Sequence, residues 1–504
     1  MWPVVELADE GARVASAETH VSVVLFVGAR AYKLAKPVAI DVLDLSDTSL
    51  RTRALREELA QNRRFSPDVY LGLATLGPEA GSADADELGA AEPVLVMRRM
   101  PEDRRLSALL RTEGADDALR QVARRVAAIH AEAPRTPVAD EMAGPDRVAD
   151  LWDESLDTME ATGNGTFDHD TLAEVRRRAH RYVDGRGDLF ERRIADGHAR
   201  DGHGDLLADD IFLLDDGPRI LDCLAFDERL RSGDVLADVA FLVMDTERIA
   251  GETSAARLMG LYGEYSGEHH PGTLAHFYVA YRALVRAKVA GVRAGQGDGD
   301  AAGLARDHLD QCLSHLRRAE VRAVLVGGAP ATGKSTIGEV LSSVTGWSLL
   351  GSDEIRKDLA GVGHEDHPDH DIDGGLYDPG VSDRTYDELV RRARRLVALG
   401  EPVVLDASWQ DASRRKAARV ALVEAGASTT EVRCDLDPSL ADERLEARRR
   451  GGRDASDATV EVARRVRDRF EPWPEAIVVD TSADVESCID GLLARLVGRP
   501  WAEG

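Results

Sequence analysis

Apolar and polar positions fall into two regimes along this chain. Over the first hundred residues the apolar ones cluster in short β-rich runs: 21–27 and 31–34 flank a Gly28-Ala29-Arg30 break, which predicts a hairpin, and 69–76 and 93–97 predict two further strands. Helical spacing takes over at 50–65, with charges on the face away from the apolar stripe. The acidic, small-residue run 77–92 reads as a loop. From Leu106 onward helical periodicity dominates, interrupted by a β-rich island at 202–226, and it returns over 238–295 and, past a Gly/Asp-rich stretch, over 304–318. A buried-type strand at 322–327 then opens a strand–helix alternation that continues to the end, the pattern of a parallel α/β sheet. The change of regime puts a domain boundary near Ala319, and no solenoid-type repeat is visible.

Length agrees with this division, because 504 residues exceed the roughly 250 that one core organises. No run of about 18 apolar residues is present, so no bilayer crossing is expected. The first ten residues are acidic where a leader would be basic and then apolar, and a cytoplasmic location is expected. Cys223, Cys312, Cys434 and Cys488 lie far apart, with no metal-ligand spacing, and read as reduced structural thiols. Acidic residues outnumber basic ones, 91 to 64, for a net charge of −27. That field repels phosphate backbones, which disfavours nucleic acid as a partner and leaves a small molecule as the expected substrate. Nothing in the composition speaks to oligomeric state. Only six lysines are present, and two of them, Lys33 and Lys334, sit in phosphate-handling patterns.

The clearest chemistry is Gly328-Ala-Pro-Ala-Thr-Gly-Lys-Ser335, which fits G-x-x-x-x-G-K-S/T between a predicted strand and a predicted helix. Gly328, Ala329, Ala331, Thr332, Gly333 and Thr336 would wrap backbone amides around a triphosphate at a helix N-terminus, with Pro330, which has no N–H, shaping the turn among them. Lys334 would reach the β- and γ-phosphates and the Ser335 hydroxyl would ligate Mg²⁺. Downstream, Ser352-Asp-Glu-Ile-Arg-Lys357 follows an apolar pair, so Asp353 falls at the ligand-binding end of a second strand. Asp353 is a candidate base for a substrate hydroxyl, and Arg356, three residues on, a candidate clamp for an anionic substrate group. Asp406 ends a third strand and suits Mg²⁺-bound water. Arg444, Arg448 and Arg449 form an arginine-rich helix of the kind that closes over transferring phosphate. This set resembles the small-molecule and polynucleotide kinase branch of P-loop proteins, including phage polynucleotide kinase and zeta-toxin-like kinases, over about 320–497. The resemblance implies ATP-dependent phosphorylation of a hydroxyl, with Asp353 as base and Arg356 as clamp. The His364–His370 run lies outside that pattern and reads as a flexible acidic loop, with metal binding as the alternative.

Upstream, His203-Gly-Asp-Leu-Leu-Ala-Asp-Asp-Ile211 and Arg219-Ile-Leu-Asp222 place one Asp in a tight loop, a second five positions on and a third after the next strand. Mg-ATP phosphoryl transfer needs that division of labour: Asp205 as base, Asp210 and Asp222 as metal ligands. The pattern resembles the aminoglycoside phosphotransferase family, whose loop reads H-G-D-x-H-x-x-N ahead of a strand ending in I-D. That resemblance covers about 1–315 and implies a protein-kinase-like bilobal domain. Lys33 would then be the cleft lysine on its strand, with Glu58 as ion-pair partner and Glu57 as the alternative. Residues 93–100 would hold adenine, and Gly233, Asp234 and Asp238 would be the downstream structural residues. Two departures stand out: Leu207 replaces the loop's usual His and Asp210 its usual Asn.

The chain as a whole resembles bacterial bifunctional aminoglycoside-phosphotransferase/ATP-binding proteins. The expected fold class is α+β followed by α/β: a kinase-like domain over 1–318, with an N-lobe to about 100 and a C-lobe to 318, then a P-loop domain over 319–504. The expected cofactors are ATP and Mg²⁺, and the expected activity is transfer of phosphate to a small-molecule hydroxyl, with a sugar or aminosugar-like acceptor in the first half. A regulatory ATP-binding protein with one degenerate half, and a polynucleotide 5′-kinase in the second half, are the competing readings.

Overall fold

Residues 22–35 form the predicted hairpin: Ser22–Val27 pairs antiparallel with Arg30–Ala35, setting Val24 opposite Lys33 and Leu25 opposite Tyr32. In this computed structural model, which describes residues 15–19, 21–40, 43–76, 92–162, 165–361, 379–451 and 460–496, the hairpin belongs to a five-stranded antiparallel sheet. Its spatial order is Ala15–Glu18, Ser22–Val27, Arg30–Ala35, Glu92–Arg98, Tyr70–Leu76. Ala15–Glu18 is exposed on every residue and so left no apolar pattern to read. The helix Thr48–Asn62 starts where the Asp47 carboxylate accepts from the Ser49 amide at 2.7 Å. It lays Leu55 against Val69, Tyr70, Leu95 and Met97 on one sheet face.

The chain divides into two units. The first comprises Met1–Val148, Arg193–His269 and Tyr278–Arg286, and the second Ala149–Arg192, His270–Phe277 and Ala287–Gly504. Beyond its sheet, the first unit is helical, with three short antiparallel pairs among the described residues, Ala39–Ile40 with Leu43–Asp44, Ile211–Leu214 with Gly217–Ile220 and Ala199–Asp201 with Ser232–Asp234. Its long helix Val235–Ser266 begins at Asp234, whose carboxylate accepts from the Leu236 amide at 2.9 Å and binds Arg193 and the Tyr278 hydroxyl. Gly251, at φ 84°, breaks that helix into two.

In the second unit five parallel strands stand in the order Ser348–Gly351, Val403–Asp406, Arg322–Gly327, Ser428–Asp435, Ile477–Asp480. The central strands are apolar on both faces because helices cover both. Val324, Val326, Val404 and Val432 pack with Ile337 and Leu341 of helix Lys334–Thr345 and with Ile489 and Leu492 of helix Val485–Leu496. Helical segments from earlier in the chain are built into this unit. Tyr182 stacks on Phe277 at 4.4 Å, and the Thr273 hydroxyl donates to the Gly400 carbonyl. The fold class is the one predicted, an antiparallel α+β region followed by a parallel α/β sheet. The loop read at 77–92 lies outside the described residues as far as 91, as do the His364–His370 run and the Arg448 and Arg449 side chains.

Candidate active site

In the first unit the helix and sheet of residues 30–70 meet the island at 202–226. Lys33 lies on the sheet facing helix Thr48–Asn62, and its Nζ donates to Glu58 Oε1 at 2.7 Å and to Asp222 Oδ1 at 3.1 Å. Of the two partners open in sequence, Glu58 is therefore the one that pairs, while Glu57 stands 3.7 Å from Arg53 on the outer face. Burial works against the charge on Lys33, but Asp222 and Glu58 overcome it and hold the ammonium protonated well above its usual range. Lys33 in turn lowers the Asp222 carboxyl.

Asp222 sits two residues past the end of strand Gly217–Ile220, at φ 63°, a left-handed conformation that Asp tolerates. Three groups from the helix's last residue onward hold it there. The Tyr70 hydroxyl accepts from the Asp222 amide at 3.0 Å, Asn62 Oδ1 from the Cys223 amide at 2.9 Å, and the Ser66 hydroxyl from the Ile220 amide at 2.8 Å.

The His203–Asp205 turn is fixed from below by Asp238, which accepts from the His203 and Gly204 amides at 2.7 and 2.9 Å. Gly204 has φ 86°, and a side chain there would meet the Leu230 carbonyl at 2.8 Å. Burial alone would raise the Asp238 carboxyl; the His130 hydrogen bond, with charge from His130, His203 and Arg282, instead holds it far below the carboxylate range. Leu207 cannot supply the usual hydrogen bond, but the loop is braced otherwise, since the Ala208 amide donates to Asp245 Oδ2 at 3.0 Å.

Asp205 is raised to about 6 by burial, which Asp222 reinforces and Arg286 and Arg282 oppose. Asp210 is also raised well above the usual carboxylate range, by burial and then by the charges of Asp222 and Asp205. The three carboxylates predicted in sequence thus share one electrostatic neighbourhood and repel one another, a donor set that suits a divalent cation. Among the described residues no three His, Cys, Asp or Glu side chains form a ready-made metal cage. Asp210 and Asp222 would hold Mg²⁺ together with phosphate oxygens and water, the ordinary way this ion is bound.

In the second unit Arg322–Gly327 runs straight into the Gly328–Ser335 turn. Gly328 has φ 151°, and a Cβ there would lie 2.5 Å from the Thr332 hydroxyl and 2.7 Å from the Cys434 carbonyl. Ala331 and Gly333 are also left-handed, at φ 66° and 84°. The turn is pinned by the Gly328 amide to the Ser408 carbonyl at 3.1 Å and by the Thr481 hydroxyl to the Thr332 carbonyl at 2.7 Å. Its curl leaves helix Lys334–Thr345 with no side-chain cap, so the helix's first amides remain for an anion. Gly328→Ala is expected to destabilise this unit by about 1–3 kcal/mol through strain and overlap, read as a lower urea midpoint against wild type.

Register brings the remaining predicted residues beside the turn: Asp406 pairs with Val326 on one side and with Gly351, which leads to Asp353, on the other. The Asp406 carboxyl is raised by burial, with Lys334 and a Ser335 hydrogen bond opposing and Asp353 and Glu339 reinforcing. Its Oδ1 is buried without a hydrogen-bond partner, which fits a place for metal-bound water beside Ser335. Asp353 is the second residue of helix Ser352–Ala360 and accepts from Arg356, so base and clamp candidates form an i,i+3 pair. Arg444 donates to the Thr481 carbonyl at 2.8 Å, close behind the turn.

Sequence reasoning missed Asp245, Arg282 and Arg286 in the first unit and a Tyr386–Ser408–Trp409 group in the second. There the Tyr386 hydroxyl meets Ser408 Oγ at 3.0 Å and accepts from the Trp409 amide at 3.2 Å, Trp409 itself being left-handed at φ 51°. Ser408 follows Asp406 by two positions, a signal that could have pointed there.

Comparison with known proteins extends this picture. Uncharacterized protein Rv2004c of Mycobacterium tuberculosis is 37% identical over 476 residues, spanning 94% of this chain and 93% of its own length. The chain belongs to the same family. Uncharacterized protein Mb2027c of Mycobacterium bovis matches at the same 37% and the same coverage. Residues 324–473 match the AAA_33 family, an AAA domain, which contains the P-loop, Asp353 and Asp406. Among solved structures, a choline/ethanolamine kinase family protein from Mesorhizobium loti aligns over 62% of this chain and 94% of its own at 14% identity and a TM-score of 0.41. A gluconokinase from Sinorhizobium meliloti 1021 aligns over 35% and 91% at 21% and 0.24. An aminoglycoside 2′-phosphotransferase-IIIa mutant with GDP aligns over 61% and 93% at 13% and 0.37. At such scores these likenesses fix nothing about this chain's chemistry. No described helix is long and apolar enough to cross a membrane.

Proposed function

We propose that the chain is a cytoplasmic ATP- and Mg²⁺-dependent phosphotransferase with two nucleotide sites, one in a kinase-like domain over 1–318 and one in a P-loop domain over 319–504, each passing a γ-phosphoryl group to a small-molecule hydroxyl. The observation that carries the reading is Lys33 held between Glu58 and Asp222. One cation bonded to two carboxylates from distant parts of the chain is an arrangement whose evident use is to orient phosphate oxygens beside a metal. In the first half Asp205 takes the hydroxyl proton as the acceptor oxygen attacks, and Lys33 keeps the leaving diphosphate in line. Mg²⁺, held by Asp210 and Asp222, would neutralise the charge that builds on the phosphates. In the second half the backbone amides at the Gly333–Thr336 end of the phosphate turn and Lys334 would grip the triphosphate, Ser335 and Asp406 would hold the ion and its water, Asp353 would receive the proton, and Arg356 would orient the acceptor. Arg448 would close over the transferring group. A sugar or aminosugar-like acceptor suits the first half.

The regulatory reading rests on Leu207, and the Asp245 brace weakens it, because the loop keeps its shape without the missing side chain. The test is transfer of label from γ-labelled ATP to a panel of sugars, aminoglycosides, nucleosides and RNA ends. Label on a small-molecule hydroxyl is the expected result. Label on RNA alone would favour the polynucleotide reading, and no transfer to any acceptor would favour regulation.

A further inference from the structure

The catalytic candidates of the second unit gather where its parallel strands end. At the opposite edge, beside Val321 and Gly426, which lead towards Arg322–Gly327 and Ser428–Asp435, lies a cavity of about 340 Å³. Helix His169–Asp184 and the end of helix Ala301–Arg318 wall it. Arg177, Arg178, Arg181 and Arg186 line it against only two carboxylates, Glu174 and Glu320. In a chain of net charge −27, a hollow with that balance runs against the composition.

Both carboxylates are already engaged. Glu174 accepts from Arg178 at 2.8 Å and from Arg317 at 3.5 Å, and Glu320 accepts from Arg322 at 2.7 Å. Arg177 is exposed and has no ion-pair partner among the described residues. Arg186 is the decisive group. It is 1% exposed, its terminal nitrogens donate to the Ala425 and Gly426 carbonyls at 3.2 Å each, and its Nε has no partner. Burial pushes its pKa down to about 10, Tyr182 partly opposing and Arg181 adding repulsion. A buried guanidinium that faces the Tyr182 ring at 5.4 Å but has no carboxylate beside it is costly, and an anion in the hollow would offset that cost.

Arg181 and Arg186 also have a structural role. With Arg181 donating to the Ala427 carbonyl at 3.0 Å, they satisfy three carbonyls just past helix Ala412–Glu424. Capping explains those bonds. It leaves the Arg186 Nε and Arg177 unused, and it requires no cavity.

We propose that this cavity binds a small phosphate-bearing anion at a site separate from the P-loop. Its volume falls at the small end of ligand pockets, which run from about 300 to 1,000 Å³, and planar guanidinium forks match phosphate oxygens better than any other side chain. Strand Arg322–Gly327 joins the two sites, its start beside the cavity and its end at the phosphate turn, roughly 20 Å apart for a strand of this length.

The experiment is calorimetric titration of the full chain carrying Lys334→Ala, which weakens the P-loop, with sodium pyrophosphate and with ribose 5-phosphate at fixed ionic strength. Saturable binding is expected with at least one of them, weakened roughly tenfold or more when Arg177→Ala and Arg178→Ala are added, the loss of two charge-assisted contacts. Arg177→Glu alone, at an exposed position, should weaken it in the same direction and guards against a folding defect. Pyrophosphate binding alone would mark the ligand as inorganic, and ribose 5-phosphate binding would mark it as an ester. Absence of saturable binding, or affinities that the arginine changes leave untouched, would overturn the proposal.

Discussion

Replacing Lys334 with alanine is expected to lower phosphate transfer by the second half by about 10²-fold or more, the scale on which one preorganised charge acts on a developing anion, and to weaken ATP binding there. The left-handed Gly333 leaves the start of helix Lys334–Thr345 without a side-chain cap, so amides remain to hold phosphate while the ammonium is gone. Lys334 makes no ion pair within 4.0 Å among the described residues, so the melting temperature should stay near wild type. Nucleotide titration of the P-loop half and a thermal melt of the full chain check both parts. Unchanged ATP affinity would remove the nucleotide assignment from this turn.

Asp205→Asn should cut transfer by the first half by about 10²–10⁴-fold, the usual worth of a positioned base, and leave nucleotide binding intact. The pH profile carries the sign. A base must be deprotonated to accept the hydroxyl proton, and burial has raised this carboxyl to about 6. Transfer by wild type should therefore climb as pH rises towards 6 and level off above it; a fall over the same range would make Asp205 an acid. Stability moves the other way. With the folded value above that of an unfolded aspartate, the contribution is fully present at pH below the unfolded value and is lost as pH rises through about 6. The asparagine variant should accordingly be no less stable than wild type at pH 7. A variant both inactive and less stable would point to a structural role.

How much of this could be read from residues alone follows from how local each feature is. The phosphate turn was legible because its demands are met by backbone within one strand–turn–helix, and Gly328 and Gly333 occupy the positions where φ is positive. Asp205, Asp210 and Asp222 were legible as a spacing. Their mutual repulsion was not, since it depends on burial that a spacing does not encode. Glu58 could be put ahead of Glu57 only through the family resemblance, because neighbouring helix positions differ only by the helix's phase against the sheet, which Leu55 settles by packing inward. Asp245 and Arg282 stand on long helices with no motif around them, and they reach the loop only because those helices pack beneath it. The arginine hollow was invisible for the same reason: Arg177 to Arg186 carry no motif, and it is the end of another helix and two strand starts closing around them that make a cavity.

One close approach constrains what residue 327 can be. A Cβ on Gly327 would lie 2.6 Å from the indole of Trp473 and 2.9 Å from the Cβ of Trp409, and both tryptophans are almost wholly sealed from solvent. Interiors at native density have no slack to absorb an added methyl against an immovable ring. Any side chain at 327 would therefore have to push aside both the Trp473 ring and the Trp409 Cβ.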